Sequence, residues 1–293
     1  MLEVMNATNN IPLMNMMYLF NKTSEDCSKI TTSNYSTSFA SAIKLLHKEF
    51  RADIYNIYGF VRFADEIVDT FHDFDKEELL QSFCAETYKA IEMGISLNPI
   101  LNSFQLTVNK YELDIALIDA FFRSMKYDLE TNYYNENLYK EYIYGSAEVV
   151  GLMCLYIFCE GNKTMYNDLK MYARSLGAAF QKVNFLRDIK MDNEQLHRMY
   201  FPNCNFSRFG WADKKQIEED IQKDFDIAYE GILKLPVKAK FGVYVAYKYY
   251  FSLFRKIKKT QPAKILENRV RIPDYGKALI LAKAGLRNQL NIL

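Results

Sequence analysis

The sequence predicts an all-α fold, organised as a single domain of long helices. Apolar residues recur with helical periodicity over long segments, and no two segments show the alternation expected of paired strands. Eleven Gly and six Pro in 293 residues are few and lie far apart, which argues against a sheet protein with many tight turns. No repeat and no linker rich in Gly, Pro or Ser divides the chain, so one domain is expected.

The helix boundaries follow residues that start or stop helices. Asp75 precedes Lys-Glu-Glu as an N-cap, Pro99 opens a helix and Gly161 ends one. Pro236 and Pro273 separate later helices. Residues 1–32 are interpreted as an N-terminal leader, with its disorder left open, and residues 33–290 as the all-α domain. The predicted helices cover residues 34–49, 51–72, 76–93, 99–111, 114–131, 135–159, 163–196, 213–234, 238–259 and 274–288.

Composition and charge exclude several classes of function. Lys and Arg number 37 against 36 Asp and Glu, so the net charge of +1 creates no bulk attraction to nucleic acid, and no nucleic-acid partner is expected. Five Cys without a Cys-x-x-Cys pair indicate reduced thiols, and no export signal is present, so we expect a cytoplasmic protein. The apolar run Val149–Cys159 is too short to span a bilayer. The basic run from Arg255 to Lys259 is interpreted as a solvated face or as a peripheral contact with the inner face of a membrane.

One predicted helix carries a polar stripe with two carboxylates. Tyr58, Arg62, Asp65 and Asp69 follow the series i, i+4, i+7, i+11, which places all four on one side of the helix. Apolar residues cover the opposite side. This pattern by itself also fits a surface helix with its charges in water.

A second predicted helix repeats the spacing with Gln181, Asn184, Asp188 and Asp192. Apolar residues occupy nearly every other direction around its axis, which is typical of a buried helix. Because buried carboxylates need cations or hydrogen bonds, these side chains either lie exposed at a helix end or face a metal-filled cavity.

Carboxylate and amide oxygens that lie along one helical face suit Mg²⁺ as ligands. Water and substrate phosphate occupy the remaining coordination positions of the ion. Two such helices facing each other would clamp a diphosphate, with Arg62 or Arg187 neutralising part of its charge. Departure of the diphosphate would leave a carbocation. The aromatic residues, 15% of the chain, would shelter that cation through their π faces.

At these residues the sequence resembles the squalene/phytoene synthase family, the head-to-head prenyl diphosphate synthases, over about residues 33–285. The resemblance implies an isoprenoid-synthase-like helical bundle around a central cavity. Asp65-Glu-Ile-Val-Asp69 is similar to the first Asp-rich motif of the family and the segment from Asn184 to Asp192 to the second. The resemblance implies two or three Mg²⁺ ions per site, and the implied ligands are Asp65, Asp69, Asn184, Asp188 and Asp192. It also implies that Tyr58 and Arg62 are further catalytic residues.

Other segments extend the resemblance to the substrate site. The stretch from Tyr35 to Phe39 resembles the N-terminal flap of the family, and the stretch from Tyr142 to Gly151 resembles a segment whose small residues make room for prenyl chains. Glu148 departs from that pattern, where Gly is usual, and would narrow the cavity, add a polar wall or mark a sub-branch. The implied substrate contacts are Ser36, Ser38, Phe39, Tyr58, Arg62, Tyr144, Ala147, Val150, Gly151, Gln181, Asn184, Arg187, Tyr250 and Arg269.

The implied reaction joins two geranylgeranyl diphosphates head to head, through prephytoene diphosphate, to give phytoene for carotenoid biosynthesis. The alternative is the synthesis of dehydrosqualene or squalene from two farnesyl diphosphates, and only the squalene reaction would require NADPH. The absence of a Gly-rich dinucleotide motif favours phytoene, although squalene synthases of this family bind NADPH without one.

Three other classes of protein stay open at the level of sequence. Asn184, Asp188 and Asp192 imitate the metal-binding triad of terpene cyclases, although Asp at the last two positions argues against that class. Asp69-x-x-His72 and Glu194-x-x-His197 have the spacing of di-iron ligands on helices. A non-catalytic scaffold of the same fold is the third alternative, and the sequence makes no prediction of oligomeric state.

Overall fold

The computed structural model describes residues 13–131, 133–194, 198–202, 204 and 209–290, with the backbone alone for 13–15 and 191–194. It confirms the all-α prediction, and among the described residues the isolated bridge between Tyr133 and Met199 is the one β-type pairing. The helices are α1 (Leu13–Tyr35), α2 (Thr37–Ile43), α3 (Lys48–Asp69), α4 (Lys76–Met93), α5 (Pro99–Tyr111), α6 (Ile115–Glu130), α7 (Glu136–Ile143), α8 (Val149–Cys159), α9 (Lys163–Glu194), α10 (Trp211–Lys234), α11 (Val237–Lys259), α12 (Pro262–Glu267) and α13 (Asp274–Gln289).

Capping side chains explain the helix boundaries that were predicted best. The Asp75 carboxylate accepts the backbone N–H of Glu78 at 3.0 Å and begins α4, which ends at Gly94 in the left-handed conformation. The Asn98 side chain accepts two backbone N–H groups at the start of α5, where Pro99 takes the first helical position. These two helices cover the predicted residues.

Helix α1 was not among the predicted helices: it begins at Leu13, inside the segment interpreted as a leader, and packs against α3 and α5. Its inner face is a stripe of buried hydroxyl residues, Ser24, Ser28 and Thr32. Ser28 shares a hydrogen bond of 2.7 Å with Ser103 of α5. Residues 1–12 lie outside the described part of the chain.

A short π-helical turn, Tyr144–Glu148, divides the predicted helix 135–159 into α7 and α8. A Cβ on Gly145 would lie 2.2 Å from the carbonyl oxygen of Ala120 in α6, so only glycine allows this approach. The predicted helix 34–49 is likewise divided, since Ser36 caps a new helix, α2.

Helix α8 lies inside the bundle, where it packs against α3, α6 and α9. By length and composition the segment from Glu136 to Cys159 could cross a membrane, but 61% of its most apolar window is buried in the protein. Burial of this kind is what a core helix of a globular domain shows. Phe60 of α3 anchors the neighbouring core and stacks on Phe104 with ring centroids 3.8 Å apart.

Candidate active site

A cavity of about 540 Å³ lies between α2, α3, α8, α9, α10 and α11. Its lining includes both acidic helix faces, so the polar residues predicted from α3 and α9 converge on one space. Apolar side chains of α8, α10 and α11 form the remaining walls. The predicted site residues that line it are Ser36, Phe39, Tyr58, Arg62, Asp65, Asp69, Ala147, Val150, Gly151, Gln181, Asn184, Arg187, Asp188, Tyr250 and Arg269.

On α3 the two carboxylates have different surroundings. Burial, together with the nearby charge of Asp69, raises the pKa of Asp65 to about 8. The Asp69 carboxylate instead accepts a hydrogen bond of 2.7 Å from Nη1 of Arg198. Among the described residues, Asp65 therefore lacks the kind of ion pair that neutralises Asp69.

On α9 the Asp188 carboxylate is held between two arginines. Arg187 approaches it at 2.5 Å through Nη2, and Nε of Arg269 lies 2.7 Å from Oδ1. Two guanidinium groups thus stand at the cavity wall, where they suit recognition of phosphate oxygens. The side chain of Asp192, the last predicted ligand on this helix, lies outside the described residues.

Three buried polar atoms beside the cavity have no hydrogen-bond partner. They are Nε of Arg62, which is a donor, the hydroxyl of Ser146, and Oδ1 of Asn184, which is an acceptor. Leaving such groups unsatisfied costs about 1–3 kcal/mol each, so they indicate a site built for a polar ligand. The donor suits an anion and the acceptor suits a cation.

The donor set fits Mg²⁺ in chemistry, since the carboxylates of α3 and α9 and the free amide oxygen of Asn184 are hard oxygen ligands. Within the described ranges no three His, Cys, Asp or Glu side chains form a metal-binding group, and arginines pair with Asp69 and Asp188. His72 contacts Lys76 at 3.0 Å through Nδ1. The side chain of Glu194 and the whole of His197, the other candidate iron ligands, lie outside the described residues.

An aromatic cluster forms part of the cavity wall. The rings of Phe180 and Tyr250 stack at 4.0 Å between centroids, and Phe39 lies 5.6 Å from Tyr250 and 5.7 Å from Tyr58. Burial raises the pKa of Tyr58 to about 12, and that of Tyr250 is also raised by burial. Both phenols are therefore neutral donors near neutral pH, beside π faces that can stabilise a cation.

Sequence reasoning missed a buried polar network behind the α3 carboxylates. Besides Asp69, Arg198 bonds to the Val68 carbonyl at 3.1 Å and lies 3.4 Å from Asp128 of α6. Asp128 accepts hydrogen bonds from the hydroxyls of Tyr142 at 2.7 Å and Tyr200 at 3.0 Å. These residues come from distant parts of the chain, so no spacing pattern links them, although Tyr142 belongs to the motif segment discussed above.

Two predicted substrate residues do not line the cavity. Ser38 lies on α2 away from it, and Tyr144 lies under the guanidinium of Arg174, 5.2 Å from its ring centroid. Glu148 is also absent from the lining, and its carboxylate accepts a hydrogen bond of 2.6 Å from Arg174. The Glu148 carboxylate is therefore directed to Arg174 of α9.

Two glycines let α8 and α9 approach closely at the cavity. A Cβ on Gly151 would lie 2.6 Å from the Ala173 carbonyl oxygen, and one on Gly177 would lie 2.4 Å from the Ala147 carbonyl oxygen. The resemblance places Gly151, but not Gly177, in a segment whose small residues make room for prenyl chains. In the structure both glycines allow the backbones of α8 and α9 to come into contact.

Comparison with known proteins places this cavity in a family context. The profile of the squalene/phytoene synthase family matches residues 32–275. The chain is 26% identical over 299 residues to phytoene synthase of Arthrospira platensis, covering 90% of this chain and 92% of that protein. It is also 26% identical to 15-cis-phytoene synthase of Synechococcus elongatus, with the same coverage.

The fold has a close counterpart among solved structures. A dehydrosqualene synthase in complex with ligand superposes with a TM-score of 0.79 over 93% of this chain and 99% of that one. The sequence identity of the pair is 18%, so this likeness concerns the fold.

Proposed function

Because the chain belongs to the squalene/phytoene synthase family, we propose that it joins two molecules of geranylgeranyl diphosphate, with Mg²⁺, to form prephytoene diphosphate and then phytoene. The chain is a prenyltransferase, and head-to-head prenyl condensation is the reaction that its relatives support. The choice of a C20 substrate rests on the phytoene synthases that match 90% of the chain. Phytoene as product would assign the protein to carotenoid biosynthesis, in the cytoplasm.

The observation that carries this proposal is the convergence of both acidic helix faces and three arginines on one cavity. Arg62, Arg187 and Arg269 offer guanidinium donors to a diphosphate, and the unpartnered Nε of Arg62 is already free to donate. Apolar walls of α8, α10 and α11 suit the prenyl chains. One space therefore combines the two chemistries that a prenyl diphosphate requires.

Asp65, Asp69, Asn184 and Asp188 are the described side chains that would hold Mg²⁺, and Asp192 stays a predicted ligand. Mg²⁺ held there would neutralise diphosphate charge and make the group a better leaving group. The chain itself orients the diphosphate through its arginines and excludes water with its aromatic wall.

Loss of the first diphosphate would give an allylic cation that alkylates the double bond of the second substrate, and the ring would close as the carbon that forms the new bond loses a proton. The resulting cyclopropylcarbinyl diphosphate would ionise, rearrange and lose a proton to give phytoene. Phe39, Phe180 and Tyr250 present π faces to these cations. No protein nucleophile is needed, and burial raises the pKa of Cys154, a thiol in the cavity wall, to about 12, which keeps it protonated.

The test is a product assay with purified protein. Geranylgeranyl or farnesyl diphosphate is supplied with Mg²⁺ or with a chelator, each with and without NADPH, and the lipids are identified by mass spectrometry. Phytoene formed with Mg²⁺ and without reductant is the expected result.

Other products would redirect the proposal. Dehydrosqualene from farnesyl diphosphate, or squalene if NADPH is needed, would contradict the C20 substrate but keep the head-to-head reaction. A cyclic terpene would identify a cyclase. Inactivity with both diphosphates would identify a non-catalytic scaffold, and bound iron in the purified protein would identify a di-iron centre.

A further inference from the structure

The last helix, α13, is apolar on its outer side. Tyr275, Leu279, Leu286 and Leu290 are 74%, 57%, 60% and 66% exposed, and exposed Ala282 lies between them. Their spacing of three and four residues places them on one side of the helix. We call these five residues the outer face of α13. A contiguous apolar stripe of this kind on a globular protein marks an interaction surface.

The opposite side of α13 is already occupied. Ala284 is buried and Ile280 and Leu281 pack against the core, where α13 contacts α11. The hydroxyl of Tyr244 in α11 accepts a hydrogen bond of 3.3 Å from Arg287. The outer face is therefore additional apolar surface that this contact does not explain.

Positive charge lies on this helix and at its contact with α11. Arg287 and Lys248 both contact Tyr244, and the charges of Arg287 and Arg255 together with burial lower the pKa of Lys248, so these three cations lie close together where α13 meets α11. Lys283 of α13 itself is exposed. In the part of the chain that the structure describes, no ion pair joins Lys248, Arg255 or Lys283 to a carboxylate.

These positive charges help to decide which of two partners would cover the outer face, a second copy of the chain or a lipid surface. A second copy of the chain, docked symmetrically through the same face, would bring these cations toward their own counterparts. An anionic lipid surface takes up the apolar side chains at its headgroup boundary and complements the cations. The charge pattern therefore favours the lipid.

The outer face also belongs to a helix that contacts the cavity wall. Nζ of Lys277 donates a hydrogen bond of 3.0 Å to the hydroxyl of Thr37, the first residue of α2. The neighbouring residues Ser36 and Phe39 line the cavity, and so does Tyr35, which is 52% exposed. The cavity therefore reaches the surface beside the element that α13 contacts.

We propose that the outer face of α13 docks the protein on an anionic lipid surface. Docking brings the Tyr35 side of the cavity near the bilayer, into which a long apolar product partitions. The apolar residues supply insertion and the cations supply attraction to the headgroups. Binding requires neither substrate nor Mg²⁺, so its test is independent of the proposed reaction.

The experiment measures sedimentation of the full chain with vesicles of phosphatidylcholine alone or mixed with phosphatidylglycerol. Leu279→Asp/Leu286→Asp alters the outer face, and Leu97→Asp/Val237→Asp makes the same charge change at exposed residues elsewhere. We expect binding to the anionic vesicles, a loss of about tenfold or more in the first variant, and none in the control. Lys283→Gln should weaken binding about fivefold, since one cation near the surface contributes about 1 kcal/mol.

Circular dichroism checks that each variant is folded, and light scattering reports the oligomeric state. Equal sedimentation of the first variant and the wild type would overturn the proposal, as would absence of binding to anionic vesicles. A dimer that is lost in the first variant, without vesicle binding, would assign the outer face to a second copy instead.

Discussion

The two acidic helix faces that meet at the cavity are compensated in different ways. On α9, Asp188 is held by Arg187 and Arg269, two cations of the chain itself. On α3, Asp65 has no ion-pair partner among the described residues, and its pKa is raised to about 8 by burial and by Asp69. Within the described part of the chain, Asp188 is thus paired with cations, whereas Asp65 is not.

This difference indicates what each face gains from a bound cation. A desolvated, unpaired carboxylate is stabilised most by an ion that arrives from outside, so α3 gains the most. At α9 an incoming ion must first displace arginines from Asp188. The displaced guanidinium groups would then be available to an anion, so the proposed cation and the proposed diphosphate would favour each other's binding.

The largest expected effect is loss of activity on removing either carboxylate. Asp65→Ala and Asp188→Ala should each lower kcat by about 10³-fold, because each removes a ligand of the Mg²⁺ that would neutralise the leaving diphosphate. Helical circular dichroism should be nearly unchanged. Asp168→Ala, an exposed change on α9, is the control. An active Asp188→Ala enzyme would contradict the role of α9.

The next largest effect is a loss of stability on removing Arg198, the arginine that pairs with Asp69 and Asp128. Arg198→Met should lower the free energy of unfolding by about 3–5 kcal/mol, because it leaves buried Asp128 without its arginine. Urea denaturation measures the loss. Asp128→Asn in the same background should restore part of it, and a double-mutant cycle gives the coupling. Additive losses would show that the two groups do not interact.

A smaller effect is expected from one of the arginines at α9. Arg269→Gln should raise the KM for the prenyl diphosphate about tenfold, since it removes one charge-assisted hydrogen bond. The free energy of unfolding should change little, because the side chain is partly exposed and Asp188 keeps its contact with Arg187. Arg271→Gln, two residues away and outside the cavity lining, is the matched control. Equal KM values for the two variants would argue against diphosphate contact by Arg269.

The smallest effect concerns an acidic residue that faces α9 from outside the cavity. Glu148→Gln breaks the ion pair with Arg174, which is partly exposed, and should cost less than about 1 kcal/mol. The chain length of the product should stay the same. A product of different length would mean that Glu148 shapes the cavity indirectly, through the π-helical turn.

The fold was predictable where local chemistry decides it. Capping by Asp75 and Asn98 fixes α4 and α5, and a continuous apolar run marks α8. Helix α1 was missed for a physical reason. Its buried face consists of Ser and Thr, which pack closely against α3 and α5 but give no hydrophobic period.

The candidate site was predictable for residues that share one helix face. Spacing alone grouped Tyr58 with Asp65 and Asn184 with Asp188, and the structure brings both groups to one cavity. The network around Arg198 was not predictable, because Asp128 and Asp69 meet it only after the chain folds. Spacing also does not predict which carboxylates are neutralised by ion pairs, because arginines from other segments of the chain take part in these pairs.

The close contact of α8 with α9 limits how this cavity can be reshaped in the laboratory. At Gly151 and Gly177 the opposing carbonyl oxygens already occupy the place of a side chain, so any larger residue there must push a backbone apart. Ala228 of α10 and Ala246 of α11 line the cavity from the other side. Mutant libraries aimed at longer or shorter products should therefore begin at those two alanines and leave the glycines unchanged.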